Sequence, residues 1–163
     1  MKKVSAVLSL AASFVMVSSP LFAHHSLALV DKDTLISFTG TVEKLFFGNP
    51  HTTIYFTTAD GKKWAASGAA PGILRREAGW SNKTLQPGEM ILIQGHVSKD
   101  GAPWLSFRGL YRCNGERIPL QKLNTDEYVT RVKLVAVEPD RVRAVCAGQA
   151  TIPPQTAIVR AER

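Results

Sequence analysis

The chain has 163 residues, 45% of them hydrophobic, with 20 basic against 13 acidic residues and a formal net charge of +7. That length suits one ordinary domain with one modest core, and the absence of internal repeats and low-complexity tracts excludes solenoid and fibrous classes. The basic excess speaks to association with anionic partners and says nothing about fold.

The first 23 residues read as a secretion signal. Lys2 and Lys3 form a positive start, residues 4–17 (VSAVLSLAASFVMV) are almost wholly apolar, and Ser18 to Ala23 supplies small residues around the helix breaker Pro20. Cleavage is expected after Ala23. The apolar run is shorter than the roughly 20 residues a membrane-spanning helix needs, and no later segment of the mature chain approaches that length. A periplasmic or secreted protein is therefore expected. In that compartment a basic surface suits anionic phospholipid, lipopolysaccharide, acidic glycan or another envelope protein, and nucleic acid is not an expected partner.

Cys113 and Cys146 are the two cysteines of the chain. An even count in a secreted protein favours one structural disulfide, contributing on the order of 3–4 kcal/mol for a loop of this length. Metal binding by two free thiols is the competing reading. Their spacing is unlike CxxC and neither has a histidine beside it.

From residue 35 the chain reads as short strands divided by turns. LISFTGTVEKLFF (35–47) is β-branched and aromatic, with Gly40 where a bulge or bend can curl a strand into a barrel. After Asn49-Pro50, TTIYFTTA (52–59) alternates Ile54 and Phe56 against Thr53, Tyr55 and Thr57. It ends at the hairpin signal Asp60-Gly61, with KKWAAS (62–67) as the returning strand. PGILRREAG (71–79) opens on Pro71 and stops at Gly79, a helix of about two turns. Trp80 then plugs one end of the core. MILIQGHV (90–97) and PWLSFRGLYR (103–112) follow as the fourth and fifth strands.

Three strands, a short helix and two strands is the element order of the oligonucleotide/oligosaccharide-binding (OB) barrel. The expected fold is mainly β: a five-stranded OB-like barrel over 24–112, after a signal peptide at 1–23. A C-terminal, β-rich extension over 113–163 is tied back by the disulfide. Within it, CNGERIPLQ (113–121) reads as an Asn-Gly hairpin and YVTRVKLVAV (128–137) as β-rich. A lipocalin-like fragment or a small sandwich would share the same short strands and glycine turns.

The pieces AHHS (23–26), GTV (40–42), NPH (49–51), WA (64–65), LRREAGW (74–80) and LQPGE (85–89), with Gly95, are together specific. Over residues 23–112 the chain resembles a family of small bacterial secreted proteins described only as a domain of unknown function (number 6152). The resemblance implies an envelope location and supplies no activity. It also shows departures: Ser67 stands where members often carry a Glu three residues after the Trp of the WA pair, and APG (70–72) replaces SPN before the helix. The segment from Cys113 onward runs past the usual end of the pattern.

The four histidines, His24, His25, His51 and His96, are the candidate metal ligands. With the signal removed, the free amino group and the imidazole of His24 can chelate a metal, and one further imidazole completes a three-nitrogen set of the kind Cu(II) prefers. His51, in the loop joining the first two strands and preceded by Pro50, is the first candidate for that third ligand. His25 is the competitor, and His96 faces either inward or to solvent. The alternative to a metal site is that His24 and His25 belong to a leader and His51 hydrogen-bonds its own loop.

No catalytic residues stand out. Ser26 beside His25 is no nucleophile pair, because neighbours on an extended chain point apart, and ASGAAPG lacks the Lys-Ser/Thr of a phosphate loop. Tyr55, Phe56, Trp64, Trp80, Trp104 and Phe107 can serve as stacking platforms on a barrel face, with core packing as the plainer reading. Arg75 and Arg76 can grip phosphate or carboxylate or simply form a solvated helix face. Two functions follow: a binder of copper or another divalent metal through His24, His51 and His25, or an envelope adaptor. The adaptor would hold an anionic polymer, lipid headgroup or protein on a ligand face that includes Tyr55, Trp64, Arg75 and Arg76.

Overall fold

A computed structural model describes residues 29–120 and 136–156. The five expected strands are present as β1 (Thr34–Phe46), β2 (Thr53–Thr57), β3 (Lys63–Ser67), β4 (Met90–Val97) and β5 (Trp104–Arg112). Helix α1 (Pro71–Ala78) lies between β3 and β4. β1 pairs antiparallel with both β2 and β4, β2 with β3, and β4 with β5, while β3 runs parallel to β5 and closes the ring. The result is a five-stranded OB-like barrel, as the element order implied.

One strand can serve two partners because β1 bends in its middle. Ile36 to Thr41 pair with β4, and Thr41 to Phe46 pair with β2. Gly40 sits at the turnover. A Cβ there would lie 2.5 Å from the Phe56 ring and 2.9 Å from the Thr57 carbonyl oxygen, so only glycine lets the two backbones approach this closely. A register shift between Val42 and Lys44 adds the local twist that barrel closure needs.

Alternation along the strands fills the interior with Val42, Ile54, Phe56, Ile91, Ile93, Leu105, Phe107 and Leu110. α1 begins at Pro71 and ends at Gly79, whose φ of 72° lets its N–H reach the Arg75 carbonyl while the Trp80 N–H reaches Leu74. That reversal delivers Leu74 and Trp80 to the open end of the barrel, where both are buried. Trp80 stacks on Phe107 with ring centroids 6.2 Å apart and donates Nε1–H to the Pro119 carbonyl at 2.7 Å. The indole thus fills apolar space without stranding its polar atom.

Beyond β5 the chain turns at Asn114-Gly115 and returns along it, with the Ile118 N–H bonded to the Leu110 carbonyl. The β-rich stretch 128–137 falls largely outside the described residues. The described part of the extension contains a helix the sequence reading did not place, α2 (Pro139–Cys146), and a two-residue strand, β6 (Gln155–Thr156), paired with Thr34 and Leu35 of β1. Val137 and Val142 pack on Leu92 and Tyr111, forming a second apolar cluster on the outer face of β4 and β5. The Cys113–Cys146 disulfide anchors the end of α2 to the hairpin. Tyr111 adds a bond at depth, its hydroxyl accepting the Val137 N–H at 3.1 Å.

Candidate functional site

Where β2, β3 and β5 turn their outer faces to solvent, a groove of about 820 Å³ runs along the strands. Strand alternation explains its walls. Ile54, Phe56, Ala66, Leu105 and Phe107 point into the core, which leaves Thr53, Tyr55, Ser67, Trp104 and Ser106 on the opposite side, lining the groove. The loop before β2 contributes Pro50 and His51, the start of α1 contributes Ile73, and the β4–β5 turn contributes Ser98 and Asp100. Leu29 and Val30 enter from the N-terminal side, held by the Val30–Ser98 bridge and by the Lys99 N–H bonded to the Leu29 carbonyl.

Five large hydrophobic side chains are exposed among the described residues, and four of them line this groove: Leu29 (50%), Phe46 (41%), Tyr55 (41%) and Ile73 (42%). Met90 is the fifth and lies elsewhere. Scattered exposed apolar residues are ordinary; their concentration in one concavity makes this groove the candidate site. The floor is ordered by a polar ladder. Trp104 donates Nε1–H to Ser67 Oγ at 3.1 Å, and Ser67 Oγ lies 3.3 Å from Thr53 Oγ1.

The two ends differ in charge. At the β4–β5 turn, the Ser98 hydroxyl and then the Ala102 N–H donate to Asp100 and hold its carboxyl below the ordinary aspartate value, so it remains an anion. Toward the other end the register places Arg108 two residues beyond Ser106, itself opposite Ser67. His51 lies at that end too, donating Nδ1–H to the Gly68 carbonyl at 3.1 Å. A carbonyl oxygen can only accept, so Nδ1 carries the proton of this bond.

The residues singled out from the sequence separate into groups. Tyr55, Trp104 and His51 meet in the groove. Trp64 faces the other way: it is partly buried against the core, 4.5 Å from the Phe38 ring centroid, with Lys62 over its face at 4.9 Å. Arg75 lies over the Phe47 ring and Arg76 pairs with Glu77, both outside the groove lining. Phe56, Trp80 and Phe107 are core. His96 bonds through Nδ1 to the Thr34 carbonyl at 2.9 Å, away from the groove. His24 and His25 lie outside the described residues, among which no group of three or more His, Cys, Asp or Glu is placed to hold a metal. Leu29, Asp100, Ser106 and Arg108 were not singled out in advance. For Ser106 the signal was present, since it alternates with Leu105 and Phe107.

A closed five-stranded barrel with a short helix between the third and fourth strands belongs to the OB-like class of small β-barrels. The sequence pattern of a family of unknown function (DUF6152) matches residues 12–104, and the chain belongs to that family. No curated protein matches it.

Proposed function

We propose that this is a non-enzymatic binding protein of the bacterial cell envelope that holds its ligand in the groove over β2, β3 and β5. The observation that carries this reading is the gathering into that one concavity of four of the five large hydrophobic side chains exposed among the described residues. The envelope location is supported by the signal-like residues 1–23 and by the Cys113–Cys146 disulfide, which persists in oxidising compartments. Among the described residues no helix is long and apolar enough to cross a membrane. The test uses a neutral apolar dye, N-phenyl-1-naphthylamine. Ser106→Trp, which fills the groove, should abolish dye binding, and Met90→Ser, which removes the exposed apolar residue outside it, should leave binding unchanged. Equal effects of the two substitutions would refute the reading.

A second reading rests on His51. A ring that donates Nδ1–H to a backbone carbonyl is in the tautomer and orientation typical of metal-ligating histidines. Leu29 enters the same groove, and the five residues from His24 to Ala28 can span at most about 17 Å when extended. Cleavage after Ala23 would therefore put an amino-terminal chelate within reach of the groove, suited to copper. Cu(II) titration of the processed protein, read by electron paramagnetic resonance, should give a one-to-one nitrogen-rich signal. That signal should be lost in His51→Ala and in a form with one extra N-terminal residue. Unaltered spectra in both would exclude this site.

A further inference from the structure

Resting on the groove as the binding site, we infer that its ligand is a single-chain amphipathic carboxylate, with the anionic head on Arg108 and the apolar body lying along Trp104, Tyr55 and Ile73.

The placement of Arg108 is the first support. Gln94 pairs with Gly109 and the next residue of β4, Gly95, pairs with Phe107, so Arg108 is the extra residue of a β-bulge. Arg108 continues the groove-facing phase of Trp104 and Ser106, and the bulge leaves it without a partner residue on β4 before the alternation breaks at Leu110, which turns into the core. Among the described residues Arg108 forms no salt bridge, and the hydrogen bond it makes is a long one, 3.5 Å, to the Phe107 carbonyl. The contrast with Arg112 on the same strand is informative: that guanidinium is engaged by Glu89, Glu116 and the Thr84 carbonyl. A half-buried guanidinium with its donors unspent is a receptor for a planar anion.

The second support is polarity. Asp100 marks the opposite end of the groove, its Oδ1 accepting from the Ser98 hydroxyl and the Ala102 N–H. A negative head is repelled there and attracted at Arg108. From Trp104 to Arg108 the strand advances about 13 Å, a length matched by a medium alkyl chain. Between the two charges the wall combines the apolar surfaces of Trp104, Tyr55 and Ala69 with the hydroxyls of Ser67, Thr53 and Ser106, of which Ser67 is bonded to both Thr53 and Trp104. A short ionic solute would leave that wall wet; a long neutral one would leave Arg108 unpaired.

The experiment is displacement of the neutral dye from the full processed protein by decanoate and, separately, by decyltrimethylammonium. Decanoate should displace it at a concentration about tenfold or more below the cation, a gap expected of one charge-assisted head-group contact. Arg108→Gln should close the gap, and Arg108→Lys should retain much of it, both with unchanged circular dichroism. Equal displacement by the two amphiphiles, or an Arg108→Gln protein that still prefers decanoate, would overturn the inference while leaving the groove as an apolar binding site. Failure of the dye itself to bind in the groove would overturn both.

Discussion

The barrel turns two apolar outer faces away from its core, and it treats them differently. Over β4 and β5, Leu92 and Tyr111 lie beneath Val137 and Val142 of the extension and are 0% and 2% exposed. Over β2, β3 and the start of β5, Tyr55 and its neighbours Phe46 and Ile73 stay 41–42% exposed. The chain thus supplies its own cover for one face and leaves the other open. The covered face is also cross-linked, through Cys113–Cys146. On the uncovered face Trp104, Ser67 and Thr53 are joined by hydrogen bonds, so this part of the floor is ordered in advance.

That difference can be broken from either side. The largest effect is expected from the covered face. Replacing Cys113 and Cys146 by serine should lower unfolding stability by about 3–4 kcal/mol, read from denaturant midpoints. Leu92→Ala, which opens a cavity under α2, should cost about 2–4 kcal/mol. Ile73→Ser in the groove should cost well under half as much, because its side chain is already 42% exposed; instead it should weaken dye binding. Equal destabilisation by the two substitutions would mean the groove residues are core in solution.

Tyr111→Phe removes the hydroxyl that accepts the Val137 N–H and strands a buried donor, at about 1–2 kcal/mol. Faster amide exchange confined to α2 and the residues before it would identify that bond as part of the cover.

The smallest effect is electrostatic. Asp31, Glu43, Asp60 and Asp100 all have carboxyls lowered from their ordinary values, chiefly by hydrogen bonds from nearby backbone or hydroxyl groups. A lowered folded-state pKa adds stability that is present above the ordinary carboxylate range and lost as pH falls through the folded value. Melting temperature should therefore be level near neutrality and decline in acid. Asp100→Asn should soften that decline slightly, since Asp100 is exposed and its contribution screened.

The barrel was legible because strand phase and turn chemistry agree along residues 34–112. Ile54 and Phe56 fixed which side of β2 is core, and Pro71 and Gly79 bracketed α1. The same Pro-first signal was available for α2 at Pro139, followed by Asp140 in the first turn, but neighbouring β-branched residues drew the reading of the extension toward strand. The site was legible in part. His51 and Tyr55 followed from the loop position and the alternation. Trp64 was set on the wrong side of β3 for a groove residue because it was grouped by chemistry, without reference to its partner Phe56 across the hairpin. Arg108 shares the phase of Trp104 and Ser106 and was open to the same alternation argument; what had no local signal was the bulge after it, which depends on the partner strand and turns Leu110 into the core. Leu29 depends on pairing with a turn about 70 residues away, a tertiary contact with no local signature.

The central claim, that the uncovered face is where this protein binds its ligand, is tested most directly by a two-dimensional amide NMR titration with decanoate. The account requires shifts concentrated at Tyr55, Ser67, Trp104, Ser106 and Arg108, with Leu92, Tyr111 and Val142 unmoved. Shifts centred on the covered face, or spread evenly over the barrel, would contradict it.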